Sequence, residues 1–96
     1  MLIEAPYKIG DVVSLKLSSG EEILGRLESE DTNNYTLKKP MVLIAQEKGL
    51  GLAPFMFSVS PTGKFVMKAN AVSCIAKTEP EIGKQYTSQT SGIALA

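Results

Sequence analysis

Histidine and tryptophan are absent from this 96-residue chain, cysteine occurs once, and ten Lys plus Arg balance ten Asp plus Glu to leave no net charge. Each absence removes a class of function. Without histidine there is no Ser-His or Cys-His nucleophile pair, no imidazole base near neutral pH and no His-containing metal site, so an enzyme is not expected and no cofactor is implied. The lone Cys74 closes no intrachain disulfide and forms no Cys-x-x-Cys pair, which fits a reducing, cytoplasmic setting; its plain reading is a small buried apolar residue. No run approaches the roughly 18 apolar residues that span a bilayer. Nor does Met1-Leu2-Ile3-Glu4-Ala5-Pro6 carry a basic segment followed by an apolar run of signal length, so no membrane partner is expected. Zero net charge also argues against a generic polyanion binder, which carries a large positive excess, but leaves room for locally concentrated charge.

The apolar share is 44%, enough for one small domain with a compact core. Its period is two rather than 3.6. Val13, Leu15 and Leu17 alternate with Ser14 and Lys16; Ser18-Ser19-Gly20-Glu21 is a turn, and Ile23, Gly25 and Leu27 then face away from Glu22, Arg26 and Glu28. Glu30-Asp31-Thr32-Asn33-Asn34 is a second polar turn, whose Asp and Asn can bond their own backbone and tolerate a left-handed conformation. A third strand begins at Tyr35, crosses Lys38-Lys39-Pro40 and enters Met41-Val42-Leu43-Ile44, a run expected to be covered on both faces. Pro40 cannot donate to a ladder and predicts a bend or edge position. Glu47-Lys48-Gly49-Leu50-Gly51 reads as a flexible break, followed by the apolar Leu52 to Ser60. Lys64 to Lys68 is a fourth core strand, Ala69-Asn70-Ala71 a corner, and Val72 to Ala76 a fifth, with Val72, Cys74 and Ile75 as burial candidates.

Five short strands in so few residues predict an all-β fold: one strongly bent, antiparallel, SH3-type barrel, with an extra loop or hairpin before strand 4 and Gly20 and Gly25 easing its curvature. Residues 1–80 form the barrel domain in this reading. Residues 81–96 form a polar, mobile tail, and no helix longer than a turn or two is compelled.

The order of these residues resembles the Sm/LSm family of the Hfq-type superfamily, small five-stranded barrels that assemble into rings and bind RNA. Val13 to Gly20, Ile23, Gly25, Leu27, Asp31, Asn34 and Leu37 follow the first Sm motif, with the Asp31 to Asn34 spacing one residue shorter than usual. Met67-Lys68-Ala69-Asn70-Ala71-Val72-Ser73-Cys74-Ile75 is similar to the second, with Lys68 and Ala69 replacing Arg and Gly. The likeness covers residues 12–77. It implies that Asp31, Asn34, Lys68 and Asn70 hold a nucleotide beside a central pore, with Tyr35 as a stacking residue. An amide offers both donor and acceptor to a base edge, and an ammonium attracts phosphate, although lysine lacks the planar fork of arginine.

Plainer readings stand beside these. Asp31 to Asn34 also describes an ordinary hairpin turn, Asn70 a left-handed corner residue, and Tyr35 a core residue. Lys38 and Lys39 suit either a basic face or a solvated edge guarded against aggregation. Glu28, Glu30 and Asp31 do not make a preformed cation cage. Charge is uneven: residues 21–31 set five carboxylates against Arg26, a net of minus four, whereas 32–48 and 64–84 each sum to plus two. The resemblance implies that strand 4 of one copy pairs with strand 5 of the next, and the same open edges at Lys64 to Lys68 and Val72 to Ala76 need such pairing, so a homo-oligomeric ring is expected. The resulting reading is a ring-forming binder of single-stranded nucleic acid, RNA rather than DNA. The alternative is a scaffold module of the same fold that binds protein through Leu52–Val59 or the tail.

Overall fold

The structure, a computed structural model, describes residues 6–60 and 62–95, with side chains described through residue 91. Alternating hydrophobicity becomes sheet almost wherever it occurs. β1 (Val12–Leu17) and β2 (Glu22–Glu30) form the first hairpin, with Leu15 opposite Ile23, and β3 (Asn34–Gln46) returns along β2. β4 (Gly49–Pro54) folds back on β3, β5 (Lys64–Lys68) follows a loop, and the 3-10 turn Ala69–Ala71 leads into β6 (Val72–Lys77), which pairs with β1. The five core strands are those read from the sequence, and β3–β4 is the extra hairpin before the fourth of them. Residues 47–51 are not a flexible break: Gln46 pairs with Gly49 across a two-residue turn, and Gly49 takes φ 131°, a conformation that a side chain would strain.

β3 is the spine. One side of it pairs with β2 along most of its length, while the other pairs with β5 at Asn34–Lys38 and with β4 at Met41–Gln46. The change of partner falls at Lys39-Pro40. Lys39 is the one non-glycine residue with positive φ (51°) among the described residues, and Pro40, with no N–H to offer, instead accepts from Phe55 N at 3.2 Å. The bend expected at Pro40 is therefore present, and its cause is a strand shared between two partners.

Val13, Leu15, Leu17, Ile23, Leu27, Leu37 and Met67 fill the barrel interior. Each fully enclosed aliphatic side chain there contributes roughly 1.5–3 kcal/mol. Gly25 stands where β2 shifts register against β3, and a Cβ at that position would lie 3.0 Å from Leu37 Cδ1. The close approach that the glycine suggested is thus real.

At the C-terminal end the structure departs from the sequence reading. In place of the polar tail expected over 81–96, an α-helix, α1 (Pro80–Leu95), lies against the outer face of the sheet. Pro80 occupies the first helical position and Glu81 its first turn, both favourable there. Ile82, Tyr86 and Thr90 recur at four-residue spacing on one stripe. Tyr86 is 1% exposed and packs with Leu24 and Met41, while Thr90 Oγ1 donates to the Tyr86 carbonyl at 2.9 Å. Two apolar residues per three turns are too few to announce a helix, yet enough to dock one.

Two burial expectations also fail. The run Met41-Val42-Leu43-Ile44 is not covered on both faces: Met41 and Leu43 pack toward α1, whereas Ile44 alternates to the opposite face and is 41% exposed. Cys74 is exposed because it lies opposite Lys16 on the outward face of the β1–β6 pair.

Candidate nucleic-acid interface

The β2–β3 turn is organised by one carboxylate. Asp31 Oδ1 accepts the N–H groups of Asn33 (2.7 Å) and Asn34 (2.9 Å), and Asp31 N donates to Asn34 O at 2.9 Å. These backbone donors, Asn33 first, hold the Asp31 carboxyl below the usual aspartate range, with side-chain bonding from Asn34 and the charge of Lys68 adding to them against partial desolvation. The turn needs no left-handed asparagine.

Sheet register then brings the second loop to the first. Asn34 lies opposite Lys68 and Tyr35 opposite Met67, while Ala69 N donates to Asn33 O at 2.8 Å. Residues 31–34 and 68–70, separated by more than thirty positions in sequence, therefore share one end of the barrel. A cleft of about 220 Å³ lies between them, lined by Thr32, Asn33, Lys68, Ala69 and Asn70. Lys68 and Asn70 are exposed on its wall. Asn70 sits in the 3-10 turn and has no positive φ, so it is not the left-handed corner residue considered from the sequence.

The five candidate residues divide by role. Lys68 and Asn70 line the cleft; Asp31 shapes the turn from behind, and Asn34 is half-buried with its Oδ1 enclosed and without a hydrogen-bond partner among the described residues. Tyr35 packs against the barrel interior, which favours its core reading. Two residues absent from the sequence's candidate set, Thr32 and Asn33, line the cleft directly. Their signal was positional: in a turn closed by Asp31, the middle residues point outward. Tyr7 was also missed, and its hydroxyl donates to Glu30 Oε2 at 2.9 Å beside Tyr35. Burial, reinforced by Glu30, raises the Tyr7 phenol to about 12.

The lysines between the loops have a different use. Lys38 and Lys64 both meet Glu28, at 3.3 and 3.0 Å, and Lys64 first of all holds the Glu28 carboxyl below its usual range. Lys38 is therefore part of an ion triad across β2, β3 and β5. Among the described residues no group of three or more His, Cys, Asp or Glu is placed to hold a metal ion, and no helix is long and apolar enough to cross a membrane.

No family model matches the chain, and no curated protein matches it. Solved structures do. The crystal structure of a heptameric archaeal Sm protein superposes with TM-score 0.52 at 22% identity, covering 74% of this chain and 90% of that one. The SmAP1 heptamer of P. aerophilum matches with TM-score 0.52 at 22% identity, covering 74% of this chain and 82% of its own. At such identity the likeness is one of fold alone. The chain carries the Sm-like barrel fold.

Proposed function

We propose that this chain forms a homo-oligomeric Sm-like ring in the cytoplasm that binds single-stranded nucleic acid, RNA in preference to DNA, and serves RNA processing or metabolism without catalysing a reaction. The observation that carries the reading is the meeting of the β2–β3 and β5–β6 turns around Lys68 and Asn70. Lys68 attracts phosphate, Asn70 offers its amide to a base, and Asp31 and Asn34 hold the turn in shape behind them. Assembly follows from unpaired edges. The outer edges of β5 and β6 have no partner among the described residues, and joining one to the other between copies satisfies both, in keeping with the heptameric state of the two structural neighbours.

Zero net charge sets the affinity regime: binding is modest, with a shallower salt slope than a basic binder shows. Fluorescence anisotropy with short U-rich and A-rich RNA tests the site. Wild type binds, and the Lys68→Ala, Asn70→Ala double variant loses most of the affinity; equal binding by both proteins, or by neither, refutes the assignment. Light scattering tests the assembly, and a stable monomer at micromolar concentration refutes the ring.

A scaffold reading has one observation in its favour. Met56, Phe57 and Val59 project from the loop after β4, with Phe57 88% exposed, more apolar surface than a connecting loop needs. A protein partner docking there is the alternative. The C-terminal segment lends it less support, because α1 turns Tyr86 and Thr90 onto its own sheet.

A further inference from the structure

At the other flank of the molecule α1 leans over the β1–β2 and β6 side of the barrel and leaves a cleft of about 590 Å³. This is within the range of small-molecule sites. Its charge is one-sided: Arg26 from β2, Lys77 from the end of β6 and Lys84 from α1 line it, and no carboxylate does, although the whole chain has as many acids as bases. Neither Arg26 nor Lys84 forms a salt bridge among the described residues, and Lys77 has only Asp11, at the long distance of 4.0 Å.

Arg26 is held from both sides. Its Nη1 donates to Gly10 O at 2.8 Å and its Nη2 to Thr87 Oγ1 at 3.3 Å, which fixes the guanidinium between barrel and helix and leaves other N–H groups free. A tethered guanidinium loses little freedom on meeting an anion. The rest of the lining sets Val12, the Pro80 ring and Gly83 beside the hydroxyl residues Thr78, Thr87 and Ser88, and most of its open surface is apolar. A Cβ added at Gly83 would meet nothing within 4 Å, so the glycine leaves space open.

We propose that this cleft binds an organic phosphate, its anionic head meeting Arg26, Lys77 and Lys84 and its flat apolar body lying over Val12, Pro80 and Gly83. Arg26 and Lys84 stand on this lining with no carboxylate beside them and Lys77 with only the distant Asp11, and a phosphoryl dianion offsets the repulsion among these like charges. Inorganic phosphate would leave the apolar lining wet, and a neutral apolar ligand would leave the cations unpaired. A nucleoside phosphate satisfies both, as a free nucleotide or as one nucleotide of a single strand. The cleft shares no residue with the β2–β3 and β5–β6 turns, so the proposal stands apart from the function proposed above.

Isothermal titration of the full chain with AMP, adenosine and inorganic phosphate tests it, with an adenosine hexanucleotide as a second source of the same chemistry. AMP should bind at least about tenfold tighter than adenosine or phosphate. Arg26→Gln should weaken it about tenfold or more, and Lys77→Gln and Lys84→Gln severalfold each. Gly83→Leu should obstruct binding while leaving thermal stability intact, and the Lys68→Ala, Asn70→Ala variant should bind AMP as wild type does. If AMP is silent but the hexanucleotide binds and responds to Arg26→Gln and Lys84→Gln, the phosphate comes from a strand and the proposal holds. It is overturned if neither probe binds at millimolar concentration, if AMP and inorganic phosphate bind equally, or if binding responds only to the Lys68 and Asn70 substitutions.

Discussion

Removing one oxygen tests the role of α1. Tyr86 places its hydroxyl 2.7 Å from Lys39 O and 3.0 Å from Lys38 O, so the helix reaches across the sheet and bonds the carbonyls at the bend of β3. Tyr86→Phe keeps the enclosed ring and deletes the donor, which should cost about 1–1.5 kcal/mol. In a domain of this size the thermal midpoint then falls by roughly 4–12 °C. Tyr86→Ala also empties the space beside Leu24 and Met41 and should cost about 3–5 kcal/mol. The phenol supplies a second signature, because burial raises it to about 12. The unfolded phenol titrates near 10, so the neutral form is favoured by folding; the stability it contributes is fully present below pH 10 and lost as pH rises from 10 to 12. Urea denaturation followed by circular dichroism, at matched protein concentration from pH 7 to 11.5, should show wild type ahead of Tyr86→Phe near neutrality and the gap closing in strong base. Tyr7, also raised to about 12, titrates in the same window and is removed from the comparison by a Tyr7→Phe background. A gap below about 0.3 kcal/mol at pH 7, or one that does not change above pH 10, would refute the clamp.

Three further outcomes follow from the same geometry. Gly25→Ala should destabilise by about 1–3 kcal/mol in urea titration, since the new methyl group presses on Leu37, and a neutral result would mean that β2 and β3 are not so close. The Asp31 carboxyl, titrated by NMR, should ionise below the roughly 3.9 of a free aspartate. Its share of stability is then present above that pH and disappears as pH falls through the lowered value; an Asp31→Ala chain lacks this acid dependence, and an unshifted Asp31 would contradict the turn geometry. Phe57→Ser should move stability by less than about 0.5 kcal/mol, because the side chain is 88% exposed, and a larger loss would show that the loop packs.

What the sequence made legible follows the physics of each signal. Strands carry their burial in every second residue, so Val13-Leu15-Leu17 and Phe65-Met67 declared both their existence and their inward face. The β1–β2 hairpin was legible from its turn and alternation, but the meeting of the two loops was legible only through the resemblance, since pairing Asn34 with Lys68 depends on register and closure that local pattern does not encode. Asp31 and Lys68 could be named from motif order, but only the folded turn sets Thr32 and Asn33 on the cleft wall. The helix was illegible for a plain reason: Ile82 and Tyr86 are its only described apolar contacts with the sheet, and Thr90 satisfies its hydroxyl locally instead of advertising burial. Cys74 misled because composition predicts its burial from residue type, while alternation on β6 set it outward with Lys16.

The bond from Tyr86 to the Lys39 carbonyl spans 47 residues of sequence, and synthesis proceeds from the N-terminus. The bend in β3 therefore emerges long before the side chain that secures it, and Leu24 and Met41 wait uncovered in the interval. A nascent chain stalled before residue 86 has its barrel strands but no lid on their outer face, and its two exposed side chains are the kind of surface that chaperones hold. The outer face of the sheet is thus covered only once Tyr86 has been made and has reached the bend of β3.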